Sequence, residues 1–152
     1  MMTVSLTTRL DASPDRVWDE ARKPRLLFHI GHPLMKFTMT EPEHVPDYWD
    51  CCDYLVSLRL YGVIPLGSQT ISISYPEPTE QAFYLRDKGH SASIRRWDHL
   101  VTVARDAEGT LYTDYLEIEA GLRTPLVTAF AWWFYAHRQG RLRILDRNGF
   151  DY

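Results

Sequence analysis

The chain has 152 residues, of which 45% are hydrophobic and 24% charged, a composition typical of folded proteins rather than disordered ones. This length fits one domain with a sizeable core, so residues 1–152 are predicted to form a single domain. The formal net charge is −3, and the absence of a basic run argues against nucleic-acid binding. The only arginine-rich stretch is interpreted as a solvated helix end whose charge complements the helix dipole; it contains Arg138, Arg141, Arg143 and Arg147.

Hydropathy and cysteine usage indicate a cytoplasmic protein. No apolar stretch is long enough to span a bilayer, and the N-terminus alternates like a strand instead of resembling a signal peptide. Cys51 and Cys52 are adjacent, so they are expected to be reduced thiols. The sequence lacks metal-ligand spacings, a phosphate cradle, a nucleophile elbow and a dinucleotide fingerprint, and we therefore expect neither a metal nor another cofactor.

The N-terminal part of the chain predicts one strand and two short helices. Thr3–Leu10 alternates apolar and polar side chains, as a half-buried strand does. Ser13 and Pro14 are typical of an N-cap followed by the first helical residue. Pro24 is expected to interrupt this helix, and a second short helix is predicted over Leu26–Ile30.

From Lys36 onward the apolar residues recur with a period of two. Six strands are predicted: Phe37–Glu41, Tyr48–Leu60, Ser68–Tyr75, Gln81–Asp87, Arg95–Arg105 and Thr110–Glu119. Their short connections favour antiparallel hairpins, because parallel crossovers need a dozen or more residues.

A long helix is predicted at the C-terminus, with Thr124 as its N-cap, Pro125 as its first residue and an end near Asn148, where Gly149 is a suitable C′ residue. The side chains expected near one face of this helix are Leu126, Phe130, Trp133, Phe134, His137, Ile144 and Leu145.

The turn between the last two strands fixes their predicted register. Pairing Arg105 with Thr110 brings eight side chains to one face: Trp97, His99, Val101, Val103, Tyr112, Asp114, Leu116 and Ile118. This face is the more apolar, so it is predicted to point toward the C-terminal helix. His99 and Asp114 would then be diagonal neighbours within hydrogen-bonding reach. They could form a buried structural pair, orient a ligand, or act as an acid–base pair.

The order of elements resembles that of the START/Bet v 1-like superfamily, which includes polyketide cyclase-like and lipid-transfer proteins. The resemblance covers nearly the whole chain and rests on four segments: residues 8–18 (TRLDASPDRVW), Trp97-Asp98-His99, Tyr112-Thr113-Asp114 and Thr124-Pro125. It implies an α+β helix-grip fold, a curved antiparallel sheet of about seven strands around a long C-terminal helix. It also implies a cavity for a hydrophobic molecule, and some members of the superfamily are enzymes.

The predicted inner faces supply candidate ligand-binding residues. These are Leu58, Ile73, Phe83, Trp97, His99, Val101, Tyr112, Asp114, Phe130, Phe134 and His137. One helix is not expected to fill the whole surface of such a sheet, and the remaining volume would be a pocket. The apolar loop 61–67 is expected either to cover the mouth of that pocket or to form a homodimer contact.

Three functions follow as hypotheses. The leading one is non-catalytic binding or transport of a hydrophobic small molecule such as a lipid, a polyketide or an aromatic metabolite. The alternative is a cyclase or dehydratase in which His99 is the acid–base residue and Asp114 orients it. A third is an interaction module that associates through the loop 61–67.

Overall fold

The computed structural model describes residues 1–152, and its seven antiparallel strands form one sheet. The strands are β1 (Met2–Leu10), β2 (Met35–Glu41), β3 (Asp53–Leu60), β4 (Ile64–Ser74), β5 (Ala82–Gly89), β6 (Arg96–Asp106) and β7 (Gly109–Glu119). The helices are α1 (Pro14–Ala21), α2 (Pro24–Gly31) and α3 (Thr124–Arg147), and a 3-10 turn at Gly121–Arg123 precedes α3. The strand order is β1-β7-β6-β5-β4-β3-β2. This is the predicted helix-grip α+β architecture.

The predicted start of α1 is confirmed, and so is the break before a second short helix, although α2 starts at Pro24 rather than at Leu26. The Ser13 hydroxyl accepts a hydrogen bond from the Arg16 amide at 3.3 Å, and Pro14 is the first helical residue. Pro24 begins α2 instead of only interrupting the chain, because the ring of a proline at the first helical position removes an amide that needs no intrahelical partner.

Two strand boundaries near the middle of the chain differ from the prediction. β3 begins at Asp53 rather than Tyr48, because the preceding segment bonds to other elements: the Trp49 amide donates to the Arg22 carbonyl at 2.8 Å, and the Tyr75 hydroxyl donates to the Trp49 carbonyl at 2.6 Å. The predicted loop 61–67 is mostly strand, since β4 starts at Ile64. Only residues 61–63 form the turn.

The register predicted for β6 and β7 is confirmed throughout. Arg105 pairs with Thr110, Val101 with Asp114, and Trp97 with Ile118. All eight side chains expected on the inner face are buried. The register follows from the short turn, because a shift of one residue would move every side chain to the opposite face.

The face of α3 that packs against the sheet matches the predicted one only in part, since Phe134 and Leu145 are buried as expected. Leu126, Trp133 and Ile144 are exposed, and the buried side chains of α3 are Thr124, Thr128, Ala131, Phe134, Tyr135, Arg138, Gln139, Leu142, Leu145 and Asp146. Thr124 is also not the N-cap. It is the first residue of α3, and its hydroxyl accepts from the Ala120 amide and donates to the Gly121 carbonyl. Gly149 ends the helix with a φ of 67°, as predicted.

The apolar interior consists of two clusters. The larger cluster joins α1, α2 and the end of α3 to the middle strands, and it includes Leu10, Val56 and Leu142. The smaller cluster lies under the first half of α3 and includes Trp97 and Phe134. None of the helices is long and apolar enough to serve as a membrane span.

Candidate functional site: a cavity between the sheet and the C-terminal helix

A cavity of about 460 Å³ lies between the inner face of the sheet, α2 and the first half of α3. Hydrophobic residues make up 22 of the 30 that line it. An enclosed apolar hole of about 150 Å³ already accommodates benzene. The space is therefore about three times that needed for a small aromatic ring, and it falls in the range of ordinary ligand pockets.

Eight of the eleven predicted ligand-binding residues line this cavity. They are Leu58, Ile73, Trp97, His99, Val101, Tyr112, Phe130 and Phe134. Strand alternation brings the six strand residues to the inner face, and Phe130 and Phe134 are one helical turn apart on α3. The cavity-lining set thus combines several strands and the helix that crosses them.

The other three predicted residues do not line the cavity. Asp114 is completely buried behind His99. Phe83 shares a face with Leu85 but is covered by α1, where its ring stacks on Trp18 at a centroid distance of 5.2 Å. His137 points away from the cavity, and its Nε2 lies 3.0 Å from the carbonyl of His32.

His99 is held by protein groups on both sides of its ring. Its Nε2 lies 2.7 Å from Asp114 Oδ1, and its Nδ1 lies 3.4 Å from the Tyr135 hydroxyl. The second oxygen of Asp114 accepts a hydrogen bond from Gln139 Nε2 at 3.0 Å. This arrangement is satisfied by a neutral imidazole that donates through Nε2 and accepts through Nδ1.

Burial and hydrogen bonding set the protonation of this pair. Burial lowers the pKa of His99 below its ordinary value, despite the adjacent carboxylate. Burial alone would raise the pKa of Asp114, but the hydrogen bonds from His99 and Gln139 and the nearby positive charge of Arg138 hold it below its ordinary value. At neutral pH the pair therefore consists of a neutral imidazole and a carboxylate.

Arg138, which was predicted to lie on a solvated helix end, instead lines the cavity. Its exposure is only 6%, and its guanidinium carbon lies 4.4 Å from the centre of the Tyr135 ring. Its Nε has no hydrogen-bond partner. The signal that could have located it is its spacing, because Arg138 follows Phe130 and Phe134 at intervals of four residues along one helix face.

Asp87 is a second charged residue in the cavity wall that the sequence analysis did not select. Its Oδ1 accepts a hydrogen bond from the Ser72 amide at 2.8 Å. Burial, the largest influence, raises its pKa to about 7. The alternation of β5 would have placed it on the inner face with Leu85, but the strand pattern gave no reason to expect a buried carboxyl there.

The turn between β3 and β4 lies at one side of this cavity. Leu66 and Leu60 contribute to its lining. Tyr61 and Val63 in the turn itself are 54% and 69% exposed. The apolar segment 61–67 thus has one part at the cavity and one part in solvent.

A protein-family model described as a domain of unknown function, DUF8410, matches residues 8–145. The chain belongs to the DUF8410 family. No curated protein matches it. The family match runs from the end of β1 to the last turn of α3, and so it includes every cavity-lining residue of this DUF8410 member.

Several solved structures share the fold of this DUF8410 protein at low sequence identity. The protein TTHA0849 from Thermus thermophilus is 12% identical with a TM-score of 0.68, and the match covers 97% of this chain and 99% of that one. An AHSA1-like protein from Aeromonas hydrophila is 13% identical with a TM-score of 0.63, covering 99% and 96%. A START superfamily protein from Mycobacterium smegmatis is 14% identical with a TM-score of 0.56, covering 96% and 97%. The chain therefore has the fold that the resemblance implied.

Proposed function

We propose that this DUF8410 protein binds a hydrophobic small molecule in the cavity between the sheet and α3, as a carrier or sequestering protein. The observation that supports this most is the cavity of about 460 Å³ whose lining is mostly hydrophobic. Removing apolar ligand surface from water contributes about 25 cal/mol per Å² before the costs of association. Trp97, Tyr112, Phe130 and Phe134 supply most of the aromatic wall.

Binding of dodecanol tests this proposal. We expect the wild-type chain to bind one equivalent of dodecanol, measured by isothermal titration calorimetry and by native mass spectrometry. Leu58→Trp adds a large side chain inside the cavity, and we expect it to weaken binding by about tenfold or more. Ser57→Trp is the matched control, because Ser57 is the neighbouring residue on the opposite face of β3.

Two results would contradict the proposal. One is the absence of dodecanol binding by a folded wild-type chain. The other is an equal loss of binding in Leu58→Trp and Ser57→Trp, because that would locate the dodecanol outside the cavity. Circular dichroism and thermal melting of each variant show whether the fold is retained.

The alternative function is acid–base catalysis by His99 with Asp114, as in a cyclase or dehydratase. In its favour, the imidazole lies in the cavity wall beside a carboxylate. Against it, both ring nitrogens already have protein partners, so neither is free to exchange a proton with a substrate. We expect His99→Ala to turn over a polyketide-like substrate no more slowly than wild type. A large loss of rate in this variant would support the enzyme instead.

Two further expectations belong to the same proposal. The two cysteines are free and exposed, which supports a reducing, cytoplasmic setting. The exposed side chains of Tyr61 and Val63 support a homodimer contact through the segment 61–67. Sedimentation of the chain as a monomer at high concentration would exclude that contact and favour a role of the segment at the cavity mouth.

A further inference from the structure

We propose that the ligand is an amphipathic carboxylic acid and that its carboxylate pairs with the guanidinium of Arg138 inside the cavity. The inference rests on the proposed function, because the same cavity must accept the apolar part of the molecule. It adds the chemical class of the ligand and the direction in which the ligand lies.

The first observation is a buried cation that has no ion-pair partner in the protein. Arg138 lines the cavity and is 6% exposed. It belongs to none of the ion pairs in the structure, and its Nε makes no hydrogen bond. A guanidinium stays protonated in proteins, and burying a charge is costly unless it is paired. An anion that enters the cavity would supply the missing partner.

The acidic groups nearby make their hydrogen bonds to residues other than Arg138. Both oxygens of Asp114 are occupied, one by His99 at 2.7 Å and the other by Gln139 at 3.0 Å. One oxygen of Asp87 accepts the Ser72 amide, and burial raises the pKa of Asp87 to about 7, so near neutrality it is only partly charged. Arg138 therefore keeps hydrogen-bond donors available for a ligand, while the Asp114 carboxylate acts on it only through space.

The second cation in the cavity wall is already paired. Lys23 Nζ lies 3.2 Å from Asp19 Oδ2 and 3.2 Å from Glu20 Oε1. Only one of the two cations is therefore available to pair with a ligand. Arg138 has no carboxylate within ion-pairing distance, whereas Lys23 is ion-paired to Asp19 and Glu20 of α1.

The surroundings of Arg138 favour a carboxylate over a phosphate. One guanidinium neutralises one negative charge, and its planar fork matches the two oxygens of a carboxylate. A phosphate dianion would leave a second charge among apolar walls. The stack on Tyr135, at 4.4 Å from the ring centre, holds the plane of the guanidinium.

The position of Arg138 on α3 gives the orientation of the ligand. Leu126, Phe130, Phe134 and Arg138 follow one another at single-turn spacing and all line the cavity. Leu126 is 73% exposed and Arg138 is 6% exposed. The carboxylate would therefore lie deep, and the apolar chain would run along the two phenylalanines toward the exposed end.

The test compares dodecanoate with dodecanamide, which share the same chain and differ in charge. By calorimetry at neutral pH, we expect the wild-type chain to bind dodecanoate at least about tenfold more tightly than dodecanamide. Arg138→Met should remove this preference and retain dodecanamide binding. Arg147→Met is the matched control, because Arg147 is an exposed arginine of the same helix, and it should leave both affinities unchanged.

The outcomes separate this inference from the proposed function. Equal binding of acid and amide by wild type, or an unchanged preference in Arg138→Met, overturns the carboxylate assignment and leaves hydrophobic binding intact. Binding of neither probe overturns the proposed function and this inference with it. Where Arg138→Met does not fold, as judged by circular dichroism, Arg138→Gln provides the same comparison.

Discussion

Asp87 and Arg138, two charged side chains in the cavity wall, differ in whether they lose their charge near neutral pH. Burial raises the pKa of Asp87 to about 7, so a proton can neutralise it under ordinary conditions. A guanidinium has no such option. Of these two residues, only Asp87 changes its charge with pH, and the net charge of the cavity wall changes with it.

This difference predicts a specific pH dependence of stability. The pKa of Asp87 is about 7 in the folded chain against an ordinary value of 3.8. Between these values the unfolded chain is ionised and the folded chain is protonated, so a rising pH favours unfolding. The folded chain is favoured most below about pH 4, where Asp87 is protonated in both states, and this contribution is lost as the pH rises through about 7. The loss is about 4 kcal/mol at most, at about 1.4 kcal/mol per pKa unit.

Urea unfolding of wild type and Asp87→Asn across this pH range measures the effect. The asparagine keeps an acceptor for the Ser72 amide and cannot ionise. The free energy of unfolding of wild type should therefore fall relative to that of Asp87→Asn between about pH 4 and 7, and the difference should level off above. The other charged groups near Asp87 are Asp53, Asp98 and Arg138, and they are the same in both proteins. The exposed Asp47→Asn serves as control. A difference that stays constant with pH would contradict the prediction.

At the scale of elements, the second half of α3 is fastened to the first strand by polar contacts. Gln139 Nε2 donates to the Leu6 carbonyl at 2.8 Å. Asp146 accepts the amides of Asp11 and Ala12 at 2.7 and 3.0 Å. The first half of α3 instead faces the cavity. The helix is thus anchored beyond the cavity, at the junction of β1 and α1.

Asp146→Ala should destabilise the chain, because it removes the acceptor of two amides at that junction. We expect a loss of about 1–3 kcal/mol in the free energy of unfolding, measured with urea. Asp151→Ala changes the same residue type in the exposed C-terminal segment and should have little effect. Similar losses in both variants would show that the junction does not depend on these hydrogen bonds.

The strands were predicted better than the long helix, for a physical reason. A short turn and a period of two leave only one register that buries the apolar face of β6 and β7, and the structure has that register. Along α3, apolar residues occur all around the helix. Trp132 and Trp133 are exposed, whereas Arg138, Gln139 and Asp146 are buried. Polarity therefore does not mark the inner face of α3.

The same contrast between strands and the long helix explains which residues of the candidate site could be predicted. Inner strand residues such as Trp97 and Val101 follow from alternation alone. His137 was selected and Arg138 was not, because an arginine near a helix end is normally solvated. The burial of Arg138 depends on how α3 crosses the sheet, and that angle is set by contacts between distant parts of the chain.

At the scale of the whole molecule, the cavity borders both apolar clusters. Val56 and Ile71 in its wall belong to the larger cluster, and Met35, Trp97 and Phe134 belong to the smaller one. A molecule in the cavity would touch both. Any ligand that binds only the folded chain stabilises it by mass action.

Under the proposed function, a ligand in the cavity would bridge the two clusters and complete the apolar core. The loaded chain would unfold less often than the vacant one, and unfolded chains are the ones that proteases remove. Supply of the cargo would then govern how long each copy survives in the cell. If the proposed function holds, the amount of protein would then follow the amount of its ligand, without any change in synthesis.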